Sequence, residues 1–188
     1  MSRQTMQGRR RVLSIGLSIA SCALAKPVMA AAALAEPPRH LSFYNLHTGE
    51  ALRTVFWQDG AYIPDALVEI DRVLRDFRTG SVHSIDKGLL DLLTRLHQRL
   101  DTSEPFHVIS GYRSPETNAI LHERSDGVAS HSLHMNGMAI DIRVPDRSLD
   151  TLHRAALSLE GGGVGFYPSS DFVHVDVGRV RHWGPERA

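Results

Sequence analysis

The segment Ser132-Leu133-His134-Met135-Asn136-Gly137-Met138-Ala139-Ile140-Asp141 holds the residue types best suited to chemistry. His134 stands just before a turn marked by Asn136-Gly137, and Asp141 lies in the strand that the alternation from Met138 to Val144 predicts. A turn between them lets both side chains converge on one point, and imidazole and carboxylate are both zinc ligands. Two ligands do not complete a site. His174 offers a third, from Phe172-Val173-His174-Val175-Asp176-Val177, where His174 and Asp176 share one face and the valines the other. Such a strand turns its polar side to a cleft or to water. By residue type alone, the same histidines serve equally well as surface or hydrogen-bonded groups, and the spacing leaves that choice open.

The elements that must position these residues follow from periodicity. Leu41–Leu46 and Leu52–Trp57 alternate about Thr48-Gly49 as a hairpin, with Asp59-Gly60 as the next turn. Pro64 suits a first helical residue, and Ala66-Leu67, Ile70, Val73-Leu74 and Phe77 keep helical spacing until Gly80. A second helix is predicted from Ile85 to Leu100, capped by Ser84, with Leu89, Leu90, Leu92, Leu93, Leu96 and Leu100 as its core face. Phe106–Ser110 reads as a short strand, Ser114-Pro115 as a helix start, and Ser148–Glu160 as a helix that Gly161-Gly162-Gly163 ends. Val164–Tyr167 and Phe172–Val177 close the pattern as strands. Helices first and short strands after predict an α+β fold, a single domain with a small antiparallel sheet packed by helices.

Length and charge limit the function. A chain of 188 residues fits one domain, with residues 36–188 as its extent. The first 30 residues carry five of the 21 basic groups and none of the 21 acidic ones, so the remainder has a net charge of −5. Nucleic-acid binding thereby loses its electrostatic basis. Cys22 is the one cysteine, which excludes an intramolecular disulfide and a cysteine-rich zinc site. Residues 1–35 run from basic Arg9-Arg10-Arg11 through apolar Val12–Ser21 to small residues, the order of a signal peptide, with cleavage after Ala30 or Ala35. The arginine run before Val12-Leu13 resembles a twin-arginine export signal, with an ordinary secretory signal as the alternative. Ile19-Ala20-Ser21-Cys22 also fits lipidation at Cys22, a reading the short apolar stretch disfavours. That stretch is also too short for a permanent membrane span.

Ser132-x-His134-x-x-Gly137-x-Ala139-x-Asp141 resembles in full the S-x-H-x-x-G-x-A-x-D signature of the zinc D-Ala-D-Ala peptidases, which share a core with lysostaphin and the hedgehog domain. Ser110-Gly111-Tyr112-Arg113-Ser114 resembles the segment carrying that group's active-site arginine. Gly163–Tyr167 and Phe172–Asp176 are similar to the closing strands of its YcbK-like exported murein peptidase branch, and the likeness runs from about His40 to Trp183. The resemblance implies zinc on His134, Asp141 and His174, with Arg113 stabilising an oxyanion or holding a substrate carboxylate. Three protein ligands leave a fourth position open for water, the arrangement of a catalytic zinc. The group's Glu-x-x-His or Asp-x-x-His pattern makes Asp171 the base by its offset from His174, with Asp176 as the fallback or as a hydrogen-bond acceptor for a histidine. A His-x-His variant is ruled out, because Phe172 stands two before His174. His122-Glu123 begins like the helical H-E-x-x-H motif, but Asp126 occupies the fifth place. His131 reads as loop or substrate-facing, and His182 and Trp183 as walls of the cleft, with ordinary packing an equal reading for Trp183.

The function implied is an exported zinc metallopeptidase acting on stem peptides or cross-links of peptidoglycan in the periplasm. The alternative is a zinc-containing, non-catalytic domain that binds cell wall or protein.

Overall fold

The computed structural model describes residues 36–124 and 128–185, so the expected signal peptide lies outside the described residues. β1 (Arg39–Asn45) and β2 (Ala51–Gln58) form the expected hairpin, and Asn45 Oδ1 closes its turn by accepting the amides of His47 and Thr48. β3 (Ala61–Tyr62), β4 (Phe106–Ser110), β5 (Ala139–Arg143), β6 (Gly163–Tyr167), β7 (Phe172–Asp176) and β8 (Arg181–Trp183) complete one sheet in the order β3-β2-β1-β4-β5-β7-β6-β8. The α+β class holds, but the sheet is larger than the short strands suggest. It has eight strands and is mixed, because β1 pairs with β4 and β6 with β8 in parallel.

Four α-helices are described: α1 (Pro64–Val73), α2 (Lys87–Leu100), α3 (Pro115–Arg124) and α4 (Leu149–Ser158). The leucine face of α2 is buried as expected, and α1, α2 and α4 pack on the sheet face that carries Leu41, Phe43, Phe106, Val108, Ile140, Ile142, Val173 and Val175. His134, Asp141 and His174 lie off this core, on the sheet's other face.

Two helix limits differ from expectation, and both differences trace to backbone groups claimed by other parts of the fold. α2 is capped by Asp86, whose carboxylate accepts the Gly88 amide at 2.7 Å, and not by Ser84. The Ile85 amide donates to Asp71 and the Asp86 amide to the Gly137 carbonyl, which holds the chain extended until Asp86. α1 ends at Val73 instead of running to Gly80, because the Leu74 carbonyl accepts the Tyr112 amide and Asp76 organises the turn that follows. Asp76 is only 2% exposed, and its carboxylate accepts the amides of Arg78 and Ser114 at 2.9 Å each. It thereby fixes the loop that carries Arg113.

Burial opposes charge on Asp76, but hydrogen bonds from Thr117 and Ser114 outweigh it and bring its pKa down to about 2. The folded-state pKa is below the ordinary carboxylate value, so this stabilisation is complete above about pH 4 and is lost as pH falls toward 2, with a size of about 2 kcal/mol. Asp76→Asn is expected to lower unfolding free energy by about that amount at pH 7, with the gap to the parent closing between pH 4 and pH 2. Urea titrations across that range check it; a gap that does not change with pH would show that the carboxylate charge is not what matters.

Candidate metal centre and cleft

The signature segment folds as its residue types require. The Ser132 hydroxyl accepts the His134 amide at the start of the 3-10 turn Leu133–Asn136, and Gly137 ends the turn with φ 66°. A Cβ on Gly137 would lie 2.3 Å from the Ser84 carbonyl oxygen, so only glycine fits. The chain then enters β5, where Asp141 pairs in register with His174 of β7 and with Ser110 of β4. Gly165 of β6 stands opposite His174, and Trp183 of β8 opposite Gly165. One row across five strands thus reads Ser110, Asp141, His174, Gly165, Trp183.

Outer hydrogen bonds decide which nitrogen each histidine presents. His134 Nδ1 donates to the Gly111 carbonyl at 2.7 Å, so Nε2 keeps its lone pair. His174 Nε2 donates to Asp176 at 3.1 Å, which leaves Nδ1 as the free donor atom. His134 Nε2, His174 Nδ1 and Asp141 Oδ1 face one another at separations of 3.2, 3.3 and 2.8 Å. A tetrahedral site with bonds of about 2.0–2.1 Å has edges of about 3.3 Å, so the three atoms fit a zinc ion with little movement. No other group of three such residues close enough to hold a metal occurs among the described residues.

The electrostatics follow from burial and pairing. Burial opposes charge on Asp141, but His134 and His174 overcome it and hold the carboxyl well below the usual range. Burial also disfavours the His174 cation, yet hydrogen bonds to Asp141 and Asp176 push its pKa up to about 9, so a metal taking Nδ1 would displace the proton shared with Asp141. His134, fully enclosed, is lowered by burial.

Asp176 is fully buried, and its two oxygens accept from His174, the amides of Gly163 and Gly178, and both terminal nitrogens of Arg181. Such a saturated carboxylate orients His174 and has no lone pair to spare for a water proton.

Arg113 is buried beside His134 and Asp141. Its amide donates to the His134 carbonyl, while Nη2 stands 3.4 Å from Asp141 and 3.3 Å from the Ser110 hydroxyl. Nε is buried without a hydrogen-bond partner among the described residues. Long contacts and an unpaired donor leave this guanidinium able to take a new oxyanion partner at small cost.

A cleft of about 450 Å³ opens over these groups, bounded by His131, Tyr167, Phe172, Arg181 and Trp183. Trp183 walls the cleft as read from sequence, whereas His182 sits in a separate groove beside His153. Asp171 stands outside the lining, between Ser170 and Phe172, with its side chain 61% exposed and ion-paired to Arg143.

A family model described as peptidoglycan L,D-endopeptidase MepK matches residues 33–183. The chain belongs to this family. It is 44% identical over 176 residues to the peptidoglycan L,D-endopeptidase MepK of Escherichia coli K12, covering 93% of this chain and 96% of the relative. The probable peptidoglycan L,D-endopeptidase MepK of Haemophilus influenzae is 38% identical over 179 residues, with 94% and 96% covered. Membership in the MepK family agrees with the peptidase resemblance carried by the signature segment.

Several residues of this MepK-family site were not singled out by type or spacing. Asn118 holds the loop before Ser132 through the carbonyls of Ala129 and Ser130. Tyr167 accepts the Trp183 indole at 2.8 Å, and Arg181 clamps Asp176. Each acts on a partner from another element, so no local motif announces it.

Proposed function

We propose that this chain is an exported, zinc-dependent peptidoglycan endopeptidase that cuts cross-links, with the L,D specificity for which its relatives are named. The observation that carries the reading is the convergence of three lone pairs from His134, His174 and Asp141 beside the loosely held Arg113 in an open cleft. Zinc bound there would polarise the scissile carbonyl and lower the pKa of a water molecule to about 7. Arg113 receives the oxyanion, and Asp176 keeps His174 in the tautomer that faces the metal. Asp171, exposed outside the cleft lining, would leave its pair with Arg143 in the substrate complex to take the proton. Residues 1–35 serve as the export address, with release after Ala30 or Ala35 into the periplasm.

A second reading, a zinc-holding domain that binds peptidoglycan without cutting it, draws on the place of Asp171 outside the cleft lining. One experiment separates the two. The processed protein is recovered from the periplasmic fraction, its N-terminus determined, and the zinc-loaded form incubated with purified sacculi. Release of cross-link-derived muropeptides, lost on chelation and restored by zinc, is the expected result. Zinc binding with no muropeptide released would favour the binding domain, and an uncleaved N-terminus would remove the export reading.

A further inference from the structure

The sheet face that carries the metal centre continues well beyond the cleft. Next to the row of Ser110, Asp141 and His174 runs a second row, in which His107 of β4 pairs in register with Arg143 of β5 and with Tyr44 of β1. On its other side Phe172 of β7, adjacent to the Ile142–Val173 pair, stands opposite Tyr167 of β6. The rings are in contact along this row: Tyr44 with His107 at 5.3 Å between centroids, and Tyr167 with Phe172 at 4.5 Å. From β6 to β1 the row crosses four strand spacings, about 19 Å.

At its far end lies a second cavity of about 460 Å³, lined by Ser42, Tyr44, Arg53, Ser103, Pro105 and His107. Its lining includes one cation and no acid among the described residues. Tyr44 is 36% exposed, and the facing positions of β1 and β2 pair Ser42 with Arg53. Burial, and then the nearby Arg143 charge, lower the pKa of His107, so its ring is neutral at neutral pH. α1, α2 and α4 pack on the opposite side of the sheet, and at the far end of this row Tyr44 stays exposed.

We infer that this row, from Tyr167 to Tyr44 and Arg53, is a binding track for the saccharide strand to which the cleaved cross-link is attached. The inference rests on the proposed peptidoglycan substrate and extends it from the scissile bond to the polymer. A sugar chain presents alternating apolar ring faces and polar edges, and exposed tyrosine and neutral imidazole rings offer a flat apolar surface with a polar handle. Ser42 and Ser103 provide hydroxyls, and Arg53 a cation for the carboxylates of neighbouring stem peptides. Continuity decides the occupant: a polymer whose cross-link sits over Asp141 and His174 must leave the cleft across some adjoining surface. This row shares the open sheet face with the catalytic one.

The test uses the processed, zinc-loaded protein carrying Tyr44→Ser together with Arg53→Glu, and Val68→Ser on exposed α1 as a control for handling. Two substrates are compared: intact sacculi and a soluble cross-linked peptide dimer stripped of glycan. The double variant is expected to lose about tenfold in kcat/KM on sacculi, mainly through KM, and to stay within twofold of the parent on the dimer. Equal loss on both substrates, or no loss on either, overturns the track. Should the parent cleave neither substrate, the catalytic reading fails by itself, and co-sedimentation with sacculi decides the track. Weaker sedimentation of the double variant then supports it; parent and variant sedimenting alike, or a parent that does not sediment, overturns it.

Discussion

Alanine in place of His134 or His174 is expected to take the protein from one bound zinc per chain to none and muropeptide release to background. Each substitution leaves two donor atoms where the three stand 2.8–3.3 Å apart, and neither water nor Arg113 can supply the missing lone pair in the same place. The loss should exceed the 10- to 100-fold reduction in metal affinity that follows from removing an outer partner. Asp176→Asn sets that smaller scale. An amide nitrogen facing His174 Nε2 cannot accept its proton, so the ring is turned or re-protonated while all three ligands remain. Elemental analysis of the purified variants, with circular dichroism to confirm folding, checks the order. If both alanine variants keep full zinc occupancy, the metal is held elsewhere.

The second large effect concerns the proton. Asp171→Asn is expected to retain zinc and lose about 10² to 10⁴ in turnover, the usual contribution of a general base. The side chain keeps its size and can still accept from Arg143, so the metal centre, on other residues, should not notice. Wild-type turnover in zinc-replete Asp171→Asn would remove Asp171 from the mechanism. Because Asp176 is buried and saturated, that outcome would send the search for a proton acceptor to the substrate or to His131 at the cleft edge. Zinc content and muropeptide release measured on one preparation separate this case from loss of metal.

Much of the fold could be read from local pattern. The leucine face of α2, the β1–β2 hairpin and the strands that carry Asp141 and His174 each announce themselves by period within a few residues. The signature segment was legible for the same reason: its serine, glycine and histidine serve one turn, and its aspartate the strand that turn feeds. What was not legible depends on distant partners. The size of the sheet comes from the parallel pairing of β1 with β4 and β6 with β8, which no alternation encodes. The early end of α1 and the shifted cap of α2 arise where Leu74, Asp71 and Gly137 claim backbone groups across the fold. The offset of Asp171 from His174 is a measure along the chain and says nothing about Arg143 on the neighbouring strand.

The register of β5 against β7 carries a consequence for maturation. Asp141 and His174 are 33 residues apart in sequence and meet only because these two strands pair, while His134 reaches them from a turn outside the sheet. Until residue 174 has emerged and β7 has paired with β5, a growing chain brings only part of this set together. Contacts of such long range cost loop-closure entropy and slow folding. Any metal held by these three residues would therefore bind only once β7 has docked onto β5, and the compartment where that happens would set which divalent ions it meets first.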